Sequence, residues 1–189
     1  MRVGGLDGGT ANLGAAVLDY NPAIGPKSAR CVFADRFTTE RAAARLKRRV
    51  CTDDRIRLGV MAEAMIRVHR EHRVEAWGIE WYLPMARNAN GWKTGMVVGA
   101  GFMLAAVLEV PAYEQLPGDV KRLVGDPEAD KAQVIAWAMK HIRGFKAAVA
   151  HLWHPGMSET KRVSVLEHPA DAACHALVTI HELHARRSA

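Results

Sequence analysis

Three carboxylates and one histidine stand where a purely structural acid is hard to place. Asp7 lies inside Val3-Gly4-Gly5-Leu6-Asp7-Gly8-Gly9, Glu80 follows Ala76-Trp77-Gly78-Ile79, and His168 and Asp171 are three residues apart in Glu167-His168-Pro169-Ala170-Asp171. An isolated carboxylate in an apolar segment costs several kcal/mol unless it is paired or bound to a cation. Hard oxygen ligands converging on two divalent cations about 4 Å apart are what a two-metal centre needs to cut a phosphodiester. Two of them also have a plainer reading: Asp7 as a turn aspartate among glycines, Asp171 as a cap of its own helix. Asp19, Asp53, Asp54, Asp119, Asp126 and Asp130 sit in loop or helix-start contexts and read as solvated or capping.

The elements that must carry these residues follow from local pattern. Arg2 to Tyr20 reads as two extended segments joined at Asn12-Leu13-Gly14, a β-hairpin with Asp7 in its first strand. The glycines flanking Asp7 permit another group to approach the backbone closely. Asn21 to Arg30, with Pro22, Gly25 and Pro26, is a loop, and Cys31 to Phe37 alternates as a third strand. Thr39 caps a predicted helix over Glu40 to Val50, and Thr52-Asp53-Asp54 starts or resumes a helix through His72. Val74 to Glu80 is a buried strand ending in its carboxylate, and α/β sheets place their sites at such ends.

Asn90 to Glu109 is a helix rich in small residues, including Gly95, Gly99, Gly101 and Ala105, which suits a core or a subunit interface. Val110 to Glu114 reads as a strand, Pro117 to Val124 as a helical turn and Asp130 to Ile142 as a capped helix. Phe145 to Leu166, broken by Pro155-Gly156, shows no clear period. A last helix is expected from Pro169 to about Arg186, with His168 as its cap and Asp171 in its first turn. Strands alternating with helices after Val74 favour an α/β sheet with helices packed against it.

Composition narrows the class of partner. The 189 residues suit one domain spanning 1–189, and 26 Lys+Arg against 20 Asp+Glu leave a net charge of +6, which favours a polyanion. No apolar run approaches the roughly 20 residues of a membrane span. The N-terminus lacks the charge and apolar pattern of a signal peptide, so a soluble protein of the cytoplasm is expected. Cys31, Cys51 and Cys174 are odd in number and unpatterned, suggesting neither disulfides nor zinc.

Taken in order, four segments resemble the RuvC family of Holliday junction resolvases. GLDGGTANLGAAVLD is similar to that family's first hairpin, whose aspartate binds metal, and GIEWYLPMARNANGWKTGMVVGAG to its second motif, where a glutamate ends a strand before the dimer helix. VPAYEQLPGDVKRLVGDPEADKAQV is similar to the segment whose two lysines approach DNA, and HPADAACHALVTIHELH to the final metal-binding helix. The resemblance implies a ribonuclease-H-like α/β fold, a mixed five-stranded sheet with helices on both faces. It implies two Mg²⁺ or Mn²⁺ ions held by Asp7, Glu80, His168 and Asp171, with Lys131 at the scissile phosphate. DNA contacts would come from Lys121, Lys131, Arg87, Asn88, Trp81 and Tyr82. The implied activity is paired, symmetric nicking of four-way junctions and other branched DNA by a homodimer, leaving 5′ phosphates.

Trp81 and Tyr82 follow the glutamate sooner than the family's wedging aromatics do, and the segments 21–30 and 145–166 look longer than the family's connections. Two further readings stay open. Asp7-Gly8-Gly9-Thr10 with Asn12 resembles the first phosphate loop of the actin and sugar-kinase superfamily, although no second glycine-rich phosphate segment follows. A branched-DNA binder without cleavage is the other.

Overall fold

The computed structural model describes residues 1–40, 50–81 and 91–188. Strands β1 (Arg2–Gly8), β2 (Asn12–Asp19) and β3 (Arg30–Thr38) form an antiparallel meander. Helix α1 (Val50–His72) leads to β4 (Ala76–Glu80), then α2 (Gly91–Val107) to β5 (Ala112–Gln115). Helices α3 (Pro117–Val124), α4 (Lys131–His141), α5 (Phe145–Ala148) and α6 (Glu159–Ser188) complete the order. The sheet order is β3-β2-β1-β4-β5, with β4 parallel to β1 and β5 parallel to β4. This is the expected mixed five-stranded sheet.

Strand periodicity sorts the two faces. Leu6, Ala15, Val17, Trp77 and Ile79 pack with Met61, Met65, Val97 and Val98 beneath α1 and α2. Val3, Ala16, Leu18 and Ala76 point the other way, into a core shared with α4, α5 and α6. Helices thus cover both faces. The α6 side is unusually close, because a Cβ on Gly5 would stand 1.8 Å from the Ala172 carbonyl oxygen and one on Gly14 would stand 2.1 Å from that of His168. These two glycines let the α6 backbone lie directly on β1 and β2.

Two expected boundaries are corrected. The hairpin turns at Gly9-Thr10-Ala11, where the Gly9 N–H donates to the Asn12 carbonyl at 2.8 Å, and Asn12, Leu13 and Gly14 belong to β2. Leu13 is buried in the core, and Gly8, at φ 147°, takes the bend. The last helix begins at Glu159, ten residues before Pro169, which lies inside it. His168 is therefore no cap, and Asp171 is not in a first turn. A proline there removes the hydrogen bond to the Val165 carbonyl. Fully buried Leu166 anchors the extra turns to the core, and Arg36 Nη1 donates to the neighbouring Ser164 carbonyl at 2.5 Å.

The helix expected over 40–50 falls largely on residues outside those described; Thr39 directs its hydroxyl to the Thr10 carbonyl at 2.5 Å. All three cysteines are free, with Cys31 and Cys174 buried and Cys51 exposed. Among the described residues, no helix is long and apolar enough to cross a membrane.

Candidate active site

Asp7 and Glu80 are brought together by the parallel pairing of β1 with β4. The register runs Gly5↔Gly78 and Leu6↔Ile79, so Asp7 and Glu80 are the next residues along neighbouring strands, both at carboxyl-terminal ends. Alternation places Asp7 on the face of Gly5 and Glu80 on the face of Gly78, the side covered by α6. There His168 and Asp171, three residues apart on α6, share the helix face that meets the sheet. The close seat of α6 on Gly5 and Gly14 sets the depth at which they meet Asp7.

His168 Nδ1 donates to Asp7 Oδ2 at 2.7 Å, and Asp7 also hydrogen-bonds Glu80. Burial opposes ionisation of Asp7, but these hydrogen bonds outweigh it and hold its carboxyl below the ordinary range. Burial likewise pulls His168 down, yet its hydrogen bond to Asp7 outweighs this and raises its pKa. Glu80 is pushed up to about 9 by burial and then by the Asp7 charge. Asp171 is pushed up to about 8 by the same two causes in the same order. The Asp7 charge thus suppresses ionisation of Glu80 and Asp171, and added cationic charge would relieve the cluster.

The donor set, three carboxylates and an imidazole, is chemically suited to Mg²⁺ or Mn²⁺. Among the described residues no three such groups already stand in ligating geometry. His175, one helical turn beyond Asp171, is fully buried and pulled down to about 4 by burial, so it stays neutral beneath the cluster.

No family model and no curated protein matches the chain. Solved structures do. The chain superposes on Thermus thermophilus RuvC with a TM-score of 0.64 and 25% identity, covering 100% of this chain and 97% of that one. RuvC of the same organism in complex with Holliday junction substrate gives 0.64 and 22%, covering 99% and 96%. The yeast mitochondrial Holliday junction resolvase Ydc2 gives 0.57 and 10%, covering 98% and 83%. The fold is RuvC-like. The resemblance drawn from four sequence segments therefore holds for the architecture as a whole.

Within this RuvC-like fold the other expected residues fall unevenly. Lys131 opens α4 behind its Asp130 cap, and its Nζ meets Glu167 Oε2 at 2.5 Å, next to His168 in the chain. The Glu167 hydrogen bond raises its pKa. Lys121 lies on α3, and no described contact joins its side chain to the cluster; its carbonyl accepts the Gly125 N–H that ends the helix. Trp81 is partly exposed and stacks edge-on against Phe102 at 5.7 Å. Tyr82, Arg87 and Asn88 lie outside the described residues.

One expectation about the acids fails. Asp54, read as a solvated or capping residue, is 1% exposed and ion-paired to Lys93 Nζ at 2.9 Å. Its partner lies 39 residues away, and nothing local announces such a pair. Glu167 was likewise unmarked, although it touches both Lys131 and, at 3.4 Å, His168 Nε2.

Proposed function

We propose that this chain is a metal-dependent endonuclease that resolves four-way DNA junctions by paired nicks. The observation that carries the reading is the assembly of Asp7, Glu80, His168 and Asp171 at one edge of a sheet whose fold is shared with junction resolvases. Asp7, Glu80, Asp171 and His168 would hold the ions, and the imidazole tilts the preference toward Mn²⁺. When bound, two such ions supply the Lewis acidity that activates water and stabilises the leaving 3′ oxygen.

The chain's own groups do the positioning. Glu167 holds the Lys131 ammonium at the rim of the cluster, where it faces the charge that develops on the phosphate. Lys121 and Trp81, with Arg87, Asn88 and Tyr82, are the proposed contacts to DNA beyond the scissile group. Cleavage at two symmetric positions needs two such sites facing opposed strands, which a two-fold dimer provides. Helix α2 offers the surface: Trp92, Met103 and Val107 are exposed, and nothing lies within 4 Å of a Cβ placed on Gly95 or Gly99.

The test is incubation of the protein with end-labelled four-way junction and with linear duplex of the same sequence, in Mg²⁺ and in Mn²⁺. Symmetric nicks in the junction alone, with 5′ phosphates, are expected. Tight junction binding by a folded dimer without scission in either metal would instead mark a binding protein.

A further inference from the structure

The hairpin turn that resembles a phosphate loop has a use the acidic cluster does not explain. Gly9, Thr10 and Ala11 form one wall of a cavity of about 350 Å³; Arg57, Lys93 and Thr94 form the other, and His168 stands at its edge. The cavity therefore opens beside the carboxylates. Arg57 is 5% exposed and Lys93 9%, although long cationic side chains are seldom so buried without a purpose.

Their surroundings are built rather than incidental. Lys93 Nζ reaches both Asp54 oxygens, at 2.9 and 3.1 Å, while Arg57 Nη1 stands 3.8 Å from Asp54 Oδ1. Two cations converge on one carboxylate, so these three groups together carry a net positive charge. Arg57 Nε donates to Thr39 Oγ1 at 2.8 Å, and the Thr39 hydroxyl donates to the Thr10 carbonyl, which locks the guanidinium to the hairpin turn. The Thr94 hydroxyl lies 3.4 Å from the position of a Cβ on Gly9, which places it beside the hairpin turn.

We infer that this cavity is a phosphate subsite in which Arg57, Lys93 and Thr94 grip a DNA backbone phosphate flanking the one the acidic cluster attacks. The inference rests on the nuclease reading and adds residues to it. A cation pair held against one carboxylate, with a hydroxyl beside it and a glycine turn opposite, suits a single phosphate dianion or diester. Among the described residues that line it, the His168 imidazole is the only ring, and the cations and hydroxyls that meet there suit a backbone phosphate. Arg57 and Lys93 are thus positioning residues, fixing where the strand lies relative to Asp7 and Glu80.

Single loss of Lys93 would leave Asp54 buried with less compensation and could unfold the chain. The informative protein is the double variant Asp54→Asn with Lys93→Gln, beside Asp54→Asn alone. Junction affinity is measured in EDTA, where scission cannot interfere, across a salt series and with junctions carrying a neutral methylphosphonate at single positions near the cut. The double variant is expected to melt like Asp54→Asn and to bind junction about tenfold more weakly, with the slope of log affinity against log salt shallower by about one. One methylphosphonate position should weaken the wild type and leave the double variant unaffected. If the double variant binds with wild-type affinity and slope, the cation pair only neutralises Asp54 and the subsite is overturned while the nuclease reading stands. If the wild type binds ATP but no junction, both are overturned.

Discussion

Gly14→Ala tests how tightly the fold sets the candidate site. The new methyl carbon would sit 2.1 Å from the His168 carbonyl oxygen and 2.2 Å from its carbon, whereas ordinary contact begins near 3.4 Å. Backbone must move by about 1.3 Å to admit it. Neither partner yields easily, because Gly14 pairs with Asp7 across the sheet and α6 is packed along its length. Overpacking of this kind costs about 1–3 kcal/mol, and each kcal/mol lowers the melting temperature of a chain this size by roughly 2–4 °C.

The same displacement falls on the 2.7 Å bond between His168 and Asp7. Misplacement by about 1 Å can cost around 100-fold in rate. Thermal melts and Mn²⁺ titration calorimetry, run beside Gly59→Ala, separate the site from general effects. Gly59 lies in α1 with nothing within 4 Å of an added Cβ, so that variant should be more stable by about 0.5–1 kcal/mol. A Gly14→Ala protein with wild-type melting and wild-type Mn²⁺ affinity would refute the claim that α6 is seated on this glycine.

Further predictions concern charge and assembly. Glu80 and Asp171 have folded pKa values above their unfolded ones, so the metal-free folded chain retains protons that the unfolded chain has released, and stability should fall as pH rises from about 4.5 toward about 8–9. Glu80→Gln should flatten this decline by up to about 1.4 kcal/mol per pH unit, and a denaturation series with identical slopes in both proteins would contradict the assignment. Mg²⁺, which favours the ionised carboxylates, should reduce the loss at high pH. Met103→Glu, on the exposed face of α2, should shift the chain toward monomer in sedimentation without lowering its melting point at low concentration; an unchanged mass would place the interface elsewhere.

Much of the site was legible because its two strand acids break a strong local pattern. A carboxylate ending an apolar strand is conspicuous, and parallel pairing then sets Asp7 beside Glu80. The start of α6 was misplaced because Pro169 is a reliable helix-start signal locally, while the burial of Leu166 that extends the helix upstream depends on tertiary contacts. Asp54, Arg57 and Lys93 were hidden for a similar reason. On a sequence scale they are ordinary helix polar residues, and only the packing of α1 against α2 and the hairpin turn buries them together.

If the acidic cluster cuts DNA, wild type, Asp7→Asn and Glu80→Gln must differ on a labelled four-way junction in Mg²⁺ and Mn²⁺. Symmetric nicks are expected in the wild type and none in either variant, with junction binding retained in all three. Scission that persists in both variants would contradict this, because the chemistry would then lie outside the cluster built by β1, β4 and α6.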